Sequence, residues 1–496
     1  MAQRGPPRRT TGRDTIAVVR VMFVSSEVAP YSKTGGLGDV SGALPASLEA
    51  LGHDVTVVTP LYSSVRDVGH HLHKVYDAVA VPAADNHEFA AYLAEDGRTW
   101  FVDFPALYNR QALYTNEPDE HLRFLFLTHA SIELCRRRGW APDIAHGNDW
   151  QTGLLPLYLR SIYAGDPLFS STRSVFTIHN LGYQGVFGSH ILPDLALGDF
   201  EYLLHQEHLR QGRISFMEHA LVYADAITTV SPTYAREIQT PKHGAGLDGL
   251  LRVRSDHLVG ILNGIDLNTW NPRTDQFLRA QYSERTLDDK QINKRYLLES
   301  RGLDPANDTP LMGVVTRLTS QKGVELMIRP LARLLAEERA TFVALGSGER
   351  RFEDALQWLA STFPGRASFH RGYDEPLAHL IEGGVDAFLM PSLYEPSGLN
   401  QMYSLAYGTA PIVRRTGGLA DTVSHYDSGT GQGTGFVFDH YSEDALMWAV
   451  DQALRTFPNK DAWRRMQLNG MAEDNSWERR AGEYADVYRR LSGDPQ

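Results

Sequence analysis

From residue 20 onward the chain repeats one pattern: a short apolar, β-branched run, a Gly-rich or polar corner, then a stretch with helical spacing. That alternation dictates parallel sheets, because neighbouring parallel strands need a crossover and a helix is the usual one. Strands are expected over 20–25, 53–59, 99–104, 144–147, 174–179, 226–230 and 258–262, with helices such as 37–51 and 150–163 between them. The pattern lapses over 263–308, where Asn-Gly, Asn-Pro and many charges stand. It resumes with strands at 311–316, 341–346, 367–371, 385–391 and 410–413. A chain of 496 residues exceeds what one core holds, so the lapse is read as the junction of two domains. The expected fold is α/β: two facing Rossmann-like, doubly wound parallel-sheet domains, 18–266 and 267–476, after a loose tail at 1–17.

Several function classes fall away on composition. A net charge of −12 repels polyanions at long range, which argues against nucleic acid as a partner. The single cysteine, Cys135, rules out an intrachain disulfide and a multi-cysteine metal site, and in its Ile-Glu-Leu-Cys run it reads as core packing. Residues 1–13 carry no apolar h-region, and no run approaches the roughly 20 apolar residues that cross a bilayer. A cytoplasmic protein with no membrane partner is expected.

Ligands of open parallel sheets bind beyond the carboxyl ends of the strands, so the corners there carry the chemistry. The first, 33–39 (KTGGLGD), opens a helix. Gly35, Gly36 and Gly38 let backbone approach a sugar or phosphate closely, with Lys33 and Asp39 flanking. It matches neither the dinucleotide fingerprint nor the Walker loop, and the same residues could make a plain tight turn. At 394–401 (YEPSGLNQ), Glu395 follows a strand and can accept from sugar hydroxyls, while Gly398, Leu399 and Asn400 open a helix toward a phosphate. Arg317 and Lys322 flank a third corner, where a fork and a point charge could grip a diphosphate; a solvated basic corner is the alternative. Thr416, Gly417 and Gly418 form another Gly-rich corner, as do residues 346–349. In the first half, 146–150 (HGNDW) and 177–180 (TIHN) end strands, and Asp149, His179 and Asn180 could bind a hexose there. His146, Asp149 and His179 lack compact metal-ligand spacing, so no metal site is expected.

In order along the chain, 33–39, 146–150, 177–185, 230–234 (VSPTY), 260–266 (GILNGID), 316–323 (TRLTSQKG), 372–375, 391–401 and 414–423 (RRTGGLADTV) resemble the bacterial glycogen synthase and plant starch synthase family. The resemblance runs from Val21 to about Arg490 and implies the GT-B arrangement of two facing Rossmann-like domains. It implies transfer of glucose from ADP-glucose, less often UDP-glucose, to the non-reducing end of an α-1,4-glucan such as glycogen, with retention and no cofactor. Carried onto this chain, Arg317 and Lys322 would hold the diphosphate, with backbone donors from Leu399, Asn400, Gly417 and Gly418. Tyr373 would stack on the base and Glu395 bind the donor glucose. His179 and Asp149 would face it from the opposite wall, Lys33 to Asp39 would lie near phosphates and acceptor, and Asn263 by the transferred sugar. A hinge is implied at 263–272, and a final helix, about 477–492, that returns to the first domain.

The chain departs from the commonest family text at Asn148 and Gln151, where histidines are frequent, and at Glu218, where a lysine is common. These concern the acceptor side. Ser397 replaces a frequent cysteine, and Asn475 a frequent phenylalanine. The rival expectations are a related retaining enzyme using UDP-glucose or a short acceptor, and a catalytically silent glucan-binding scaffold.

Overall fold

The computed structural model describes residues 18–306 and 308–493, so the tail expected at 1–17 lies outside the described residues. A nine-stranded sheet runs, edge to edge, Leu258–Gly260, Ala226–Thr229, Arg173–Ile178, Ile144–Asn148, Arg20–Val24, Asp54–Pro60, Thr99–Asp103, His87–Ala94 and Leu72–Val81. Its pairings are parallel except at the edge formed by the last three strands. A six-stranded sheet, all parallel, runs Ala367–Arg371, Thr341–Gly346, Leu311–Val315, Ala387–Met390, Ala410–Arg414 and Phe436–Phe438. Central strands such as Thr341–Gly346 (TFVALG) are buried at every residue, as sheets with helices on both faces require.

Three elements depart from the expected pattern, each for a visible reason. The antiparallel hairpin of Leu72–Val81 and His87–Ala94 was not anticipated, because its first strand is largely exposed at the sheet edge and reads as polar. The helix expected at 150–163 is a 3₁₀ turn, Trp150–Thr152, followed by a short helix, Leu155–Leu159. Between them Gly153 packs so tightly that a Cβ would stand 2.5 Å from the Phe216 carbonyl oxygen. Inside the lapse lies the helix Lys290–Ser300, whose buried face carries Lys290, Asn293 and Lys294 and turns apolar only at Leu297 and Leu298, which blurs the apolar stripe. Lys294 is paired there with Asp386 at 2.6 Å, and Lys290 donates to Thr409 and to the Glu382 carbonyl.

The crossover between the domains is anchored on both sides. Trp477, Ala481, Tyr484 and Tyr488 of the last helix, Trp477–Ser492, pack in one core with Val21, Phe23 and Leu44 of the first domain. Gly264 lies against that helix, 2.7 Å from the Trp477 Cα for an added Cβ, and the Ile265 N–H donates to the Asn475 carbonyl. The Asn475 contact uses backbone alone, so the unusual side chain leaves it intact. Further along, the Trp270 ring is stacked between His379 and Tyr403 of the second domain, with centroids 3.8 and 3.9 Å away. No helix among the described residues is long and apolar enough to cross a membrane.

Candidate functional site

The first wall is built at the carboxyl end of the strand Arg20–Val24. Gly35 and Gly36 open the helix Gly36–Ala50, and beneath them lies Glu27, a buried carboxylate at the strand end. It accepts from the Thr34 N–H at 2.6 Å, the Thr34 hydroxyl at 2.7 Å, the Gly35 N–H at 3.2 Å and the Tyr114 hydroxyl at 2.6 Å. Glu27 was missed in the sequence, although its place just beyond an apolar strand was a usable signal. Lys33 and Asp39 form an ion pair at 2.7 Å; burial holds the Asp39 carboxyl above its ordinary pKa against that cation. Gly35 has open space where a Cβ would stand, whereas Gly38 is crowded by Lys33 at 3.1 Å.

Asp149 and His179 meet on the neighbouring strand ends. Asp149 has φ 53° and ψ 179°, a region tolerated chiefly by glycine, and its Oδ1 accepts from the His179 N–H at 2.7 Å and the Asn180 N–H at 3.4 Å. Burial pushes its pKa up to about 7, those N–H groups oppose the rise, and the charge of Glu27 adds to it. Asn148 donates its amide N–H to the Val24 carbonyl, so its Oδ1 faces His179 Nε2 at 3.0 Å. That assigns the His179 proton to Nε2 and leaves Nδ1 as an acceptor. Burial lowers the His179 pKa to about 3, so the ring is neutral. Asn148 therefore has a definite use here. His146, in contrast, is a satisfied core residue between the Tyr488 hydroxyl at 2.7 Å and the Thr177 hydroxyl at 2.6 Å. Asn263 is buried where the chain leaves the first sheet, and its Oδ1 has no partner among the described residues.

The second wall is two loops zipped together. The Leu393 N–H donates to the Gln321 carbonyl at 2.8 Å, and Gly323, at φ +70°, sits so close that a Cβ would be 2.1 Å from the Pro391 oxygen. This register delivers Lys322 Nζ to both oxygens of the buried Glu395 carboxylate, at 2.9 and 2.7 Å, and Ser392 donates to the same carboxylate at 2.9 Å. Arg317 is exposed beside them, and its guanidinium makes no hydrogen bond or ion pair with the described residues. Gly398, at φ +71°, turns the chain into the helix Asn400–Ala406, whose first-turn N–H groups have no intrahelical acceptor; the Asn400 side chain is tied to the Val315 carbonyl at 3.2 Å. Tyr373 stands at the mouth, 71% exposed and within electrostatic reach of Lys33 and Asp39.

The walls face one another. A Cβ on Gly36 would lie 3.8 Å from Leu399, and one on Gly182 would lie 3.3 Å from the Tyr394 hydroxyl. Thr416, Gly417 and Gly418 are directed at protein oxygens: the Gly417 N–H and the Thr416 hydroxyl donate to Glu237 of the first domain, and the Gly418 N–H to the Glu395 and Pro396 carbonyls. Glu237 is a second residue that sequence reasoning missed.

Among the described residues one group has metal-like composition, His205, His208 and Glu218. His205 Nδ1 accepts from the His208 N–H at 3.2 Å, which puts its proton on Nε2 and leaves no lone pair there for an ion. Glu218, which departs from the family text, lies 2.7 Å from His208 Nδ1, so its carboxylate has a local hydrogen-bond partner.

Residues 20–253 match the family described as starch synthase catalytic domain, and residues 299–466 match glycosyl transferases group 1. A glycogen synthase of Koribacter versatilis is 46% identical over 95% of this chain and 98% of its own. One of Anaeromyxobacter dehalogenans (strain 2CP-C) is 47% identical over 96% and 100%. Among solved structures, the catalytic domain of starch synthase IV from Arabidopsis thaliana, bound to ADP and acarbose, superposes with a TM-score of 0.88 at 34% identity, covering 96% of this chain and 100% of that one. Sucrose-phosphate synthase from Thermosynechococcus elongatus, with a TM-score of 0.61 at 18% identity over 95% and 99%, shares the fold.

Proposed function

The chain belongs to the glycogen and starch synthase family of GT-B glycosyltransferases, and from that premise we propose that it transfers glucose from ADP-glucose to the non-reducing end of an α-1,4-glucan, with retention. The observation that carries the reading is the second wall: a buried carboxylate, Glu395, holding Lys322 in place beside the unpaired Arg317, at the mouth of helical N–H groups from Leu399 and Asn400. A sugar binder has no use for such a concentration of anion donors. A diphosphate leaving group does.

In this reading the acceptor O4 forms a bond to the glucose C1 on the face from which the diphosphate departs. The C1–O bond to phosphate breaks, and the acceptor proton passes to the departing phosphate oxygen. Arg317 and Lys322 stabilise the charge that develops on that oxygen, while Glu395 accepts from donor glucose hydroxyls and fixes Lys322. His179, neutral with Nδ1 free to accept, orients a sugar hydroxyl and is no proton donor at neutral pH. Asp149, half ionised near pH 7, faces the donor glucose from the same wall as His179. Lys33, Gly35, Gly36, Gly38 and Asp39 approach phosphate and acceptor, Asn180 and Asn263 the transferred glucose, and Tyr373 offers its ring to the base. None of these steps calls on a metal or cofactor. The domain division at 266/267, with 477–492 returned to the first domain, is part of the reading and is supported by the packing of Gly264 on Trp477. So is a cytoplasmic setting.

The test is release of nucleoside diphosphate from ADP-glucose and from UDP-glucose, with and without glycogen. Glycogen-dependent release from ADP-glucose, lost in Glu395→Ala, is the expected result. Release that needs a small sugar instead would reassign the acceptor, and no release from either donor would leave only a glucan binder.

A further inference from the structure

Two short helices from opposite domains cap each other's N-termini. In the first domain, Pro232–Glu237 begins with Ser231, whose side chain accepts from the Tyr234 N–H at 2.9 Å, and with Pro232, which has no N–H. The remaining first-turn donor, the Thr233 N–H, donates across the cleft to Asp421 at 2.8 Å, and the Thr233 hydroxyl donates to the same carboxylate at 2.6 Å. In the second domain, Gly417–Thr422 begins with Thr416, whose hydroxyl makes no cap of its own and donates to Glu237 at 3.0 Å; the Gly417 N–H donates to Glu237 at 3.1 Å.

The charges make sense only across the gap. Glu237 is the last residue of its helix and Asp421 the next to last of its own. A carboxylate at a helix C-terminus meets the negative end of the dipole, so each is adverse to its own helix and favourable to the other's. Separated domains would leave both carboxylates misplaced and the Thr233 and Gly417 N–H groups without these acceptors.

We propose that Glu237 and Asp421 form a reciprocal latch that holds the two domains closed over the bound donor, and that they act as positioning residues for glucosyl transfer. The latch converges on the reaction site: Gly417 packs on the Glu395 backbone so closely that a Cβ would stand 1.9 Å from the Glu395 oxygen, and the Gly418 N–H donates to that same carbonyl at 3.1 Å. The latch is therefore anchored on the loop that carries Glu395. The assignment of a transfer step rests on the function proposed above; the closure itself does not.

The experiment is small-angle X-ray scattering of the full chain, free and with ADP, beside steady-state transfer from ADP-glucose to glycogen. Glu237→Ala and Asp421→Ala are each expected to show a larger radius of gyration than wild type and a kcat/KM for ADP-glucose lower by about tenfold, the effect of ~1.4 kcal/mol. The ratio of donor hydrolysis to transfer should rise, because an open cleft admits water. Glu237→Gln, which keeps an acceptor oxygen for the Gly417 N–H, should recover most of both readouts, as a merely structural lesion would not. Equal radii, or an unchanged kcat/KM, in both alanine variants overturns the latch. If wild type itself transfers no glucose, the proposed function fails, and the radii still decide the latch.

Discussion

Replacing Asp149 by asparagine is expected to stabilise the protein at alkaline pH. Asp149 is buried and its carboxyl is pushed from 3.8 to about 7. Its folded pKa lies above the unfolded one, so the unfolded chain ionises first as pH rises. The native state is unaffected by this group below about pH 4, loses stability between 3.8 and about 7, and has lost it in full above that. At 1.36 kcal/mol per pKa unit the full loss is about 4 kcal/mol, of which roughly 3 accrues between pH 5 and pH 8. Asparagine is neutral throughout, keeps an oxygen for the His179 N–H and fits the same volume. The thermal midpoint of Asp149→Asn minus that of wild type should therefore grow with pH, by several degrees from pH 5 to pH 8 at roughly 2–4 °C per kcal/mol for a domain of this size. Differential scanning calorimetry in matched buffers reads this directly. A difference that stays flat with pH, or a variant less stable at pH 8, would show that the carboxylate is solvated in the folded protein and that the argument from burial is wrong.

Lys322→Ala removes the cation from the buried Glu395 and should lower transfer by about 10²–10³-fold in a diphosphate-release assay, with a fall in stability of about 3–5 kcal/mol on denaturant titration. Gly35→Ala should fold as wild type, since nothing lies within 4 Å of its Cβ, so any loss of activity there reports a ligand that needs the space. Gly418→Ala, by contrast, drives a Cβ to 2.0 Å from the Ser397 oxygen and should yield little folded protein, read by circular dichroism and soluble yield. Trp270→Ala empties the stack between His379 and Tyr403 and should destabilise the second domain by about 3 kcal/mol, measured by thermal unfolding.

What was legible in the sequence was local and periodic. Buried parallel strands such as Leu311–Val315 and Thr341–Gly346 announce themselves because both faces are apolar, and the corners after them are marked by glycines. Helix Lys290–Ser300 was hidden because its inward face carries Lys290, Asn293 and Lys294, each satisfied by a partner more than ten residues away in the chain. No window of sequence contains Thr409 or Asp386 beside them. His146 shows the same limit: the Tyr488 hydroxyl that helps to satisfy it is supplied by the returning helix, more than three hundred residues away in the chain.

Thr416, Gly417 and Gly418 take this furthest. Glycine at a strand-to-helix corner has two physical causes, room for a ligand or room for the protein's own backbone, and the sequence looks the same in either case. Gly35 and Gly36 face open space and the opposite wall, whereas Gly417 and Gly418 are pressed onto the carbonyls of Glu395 and Ser397. The free N–H of the second corner then faces Glu237, a carboxylate whose own helix disfavours it. One motif therefore leaves open space at the cleft, and the other packs on the protein's own backbone and on Glu237. Because the loop under that second contact carries Glu395, the contact between the domains and the proposed donor site rest on the same segment, so in the proposed function loss of the first is expected to be felt at the second.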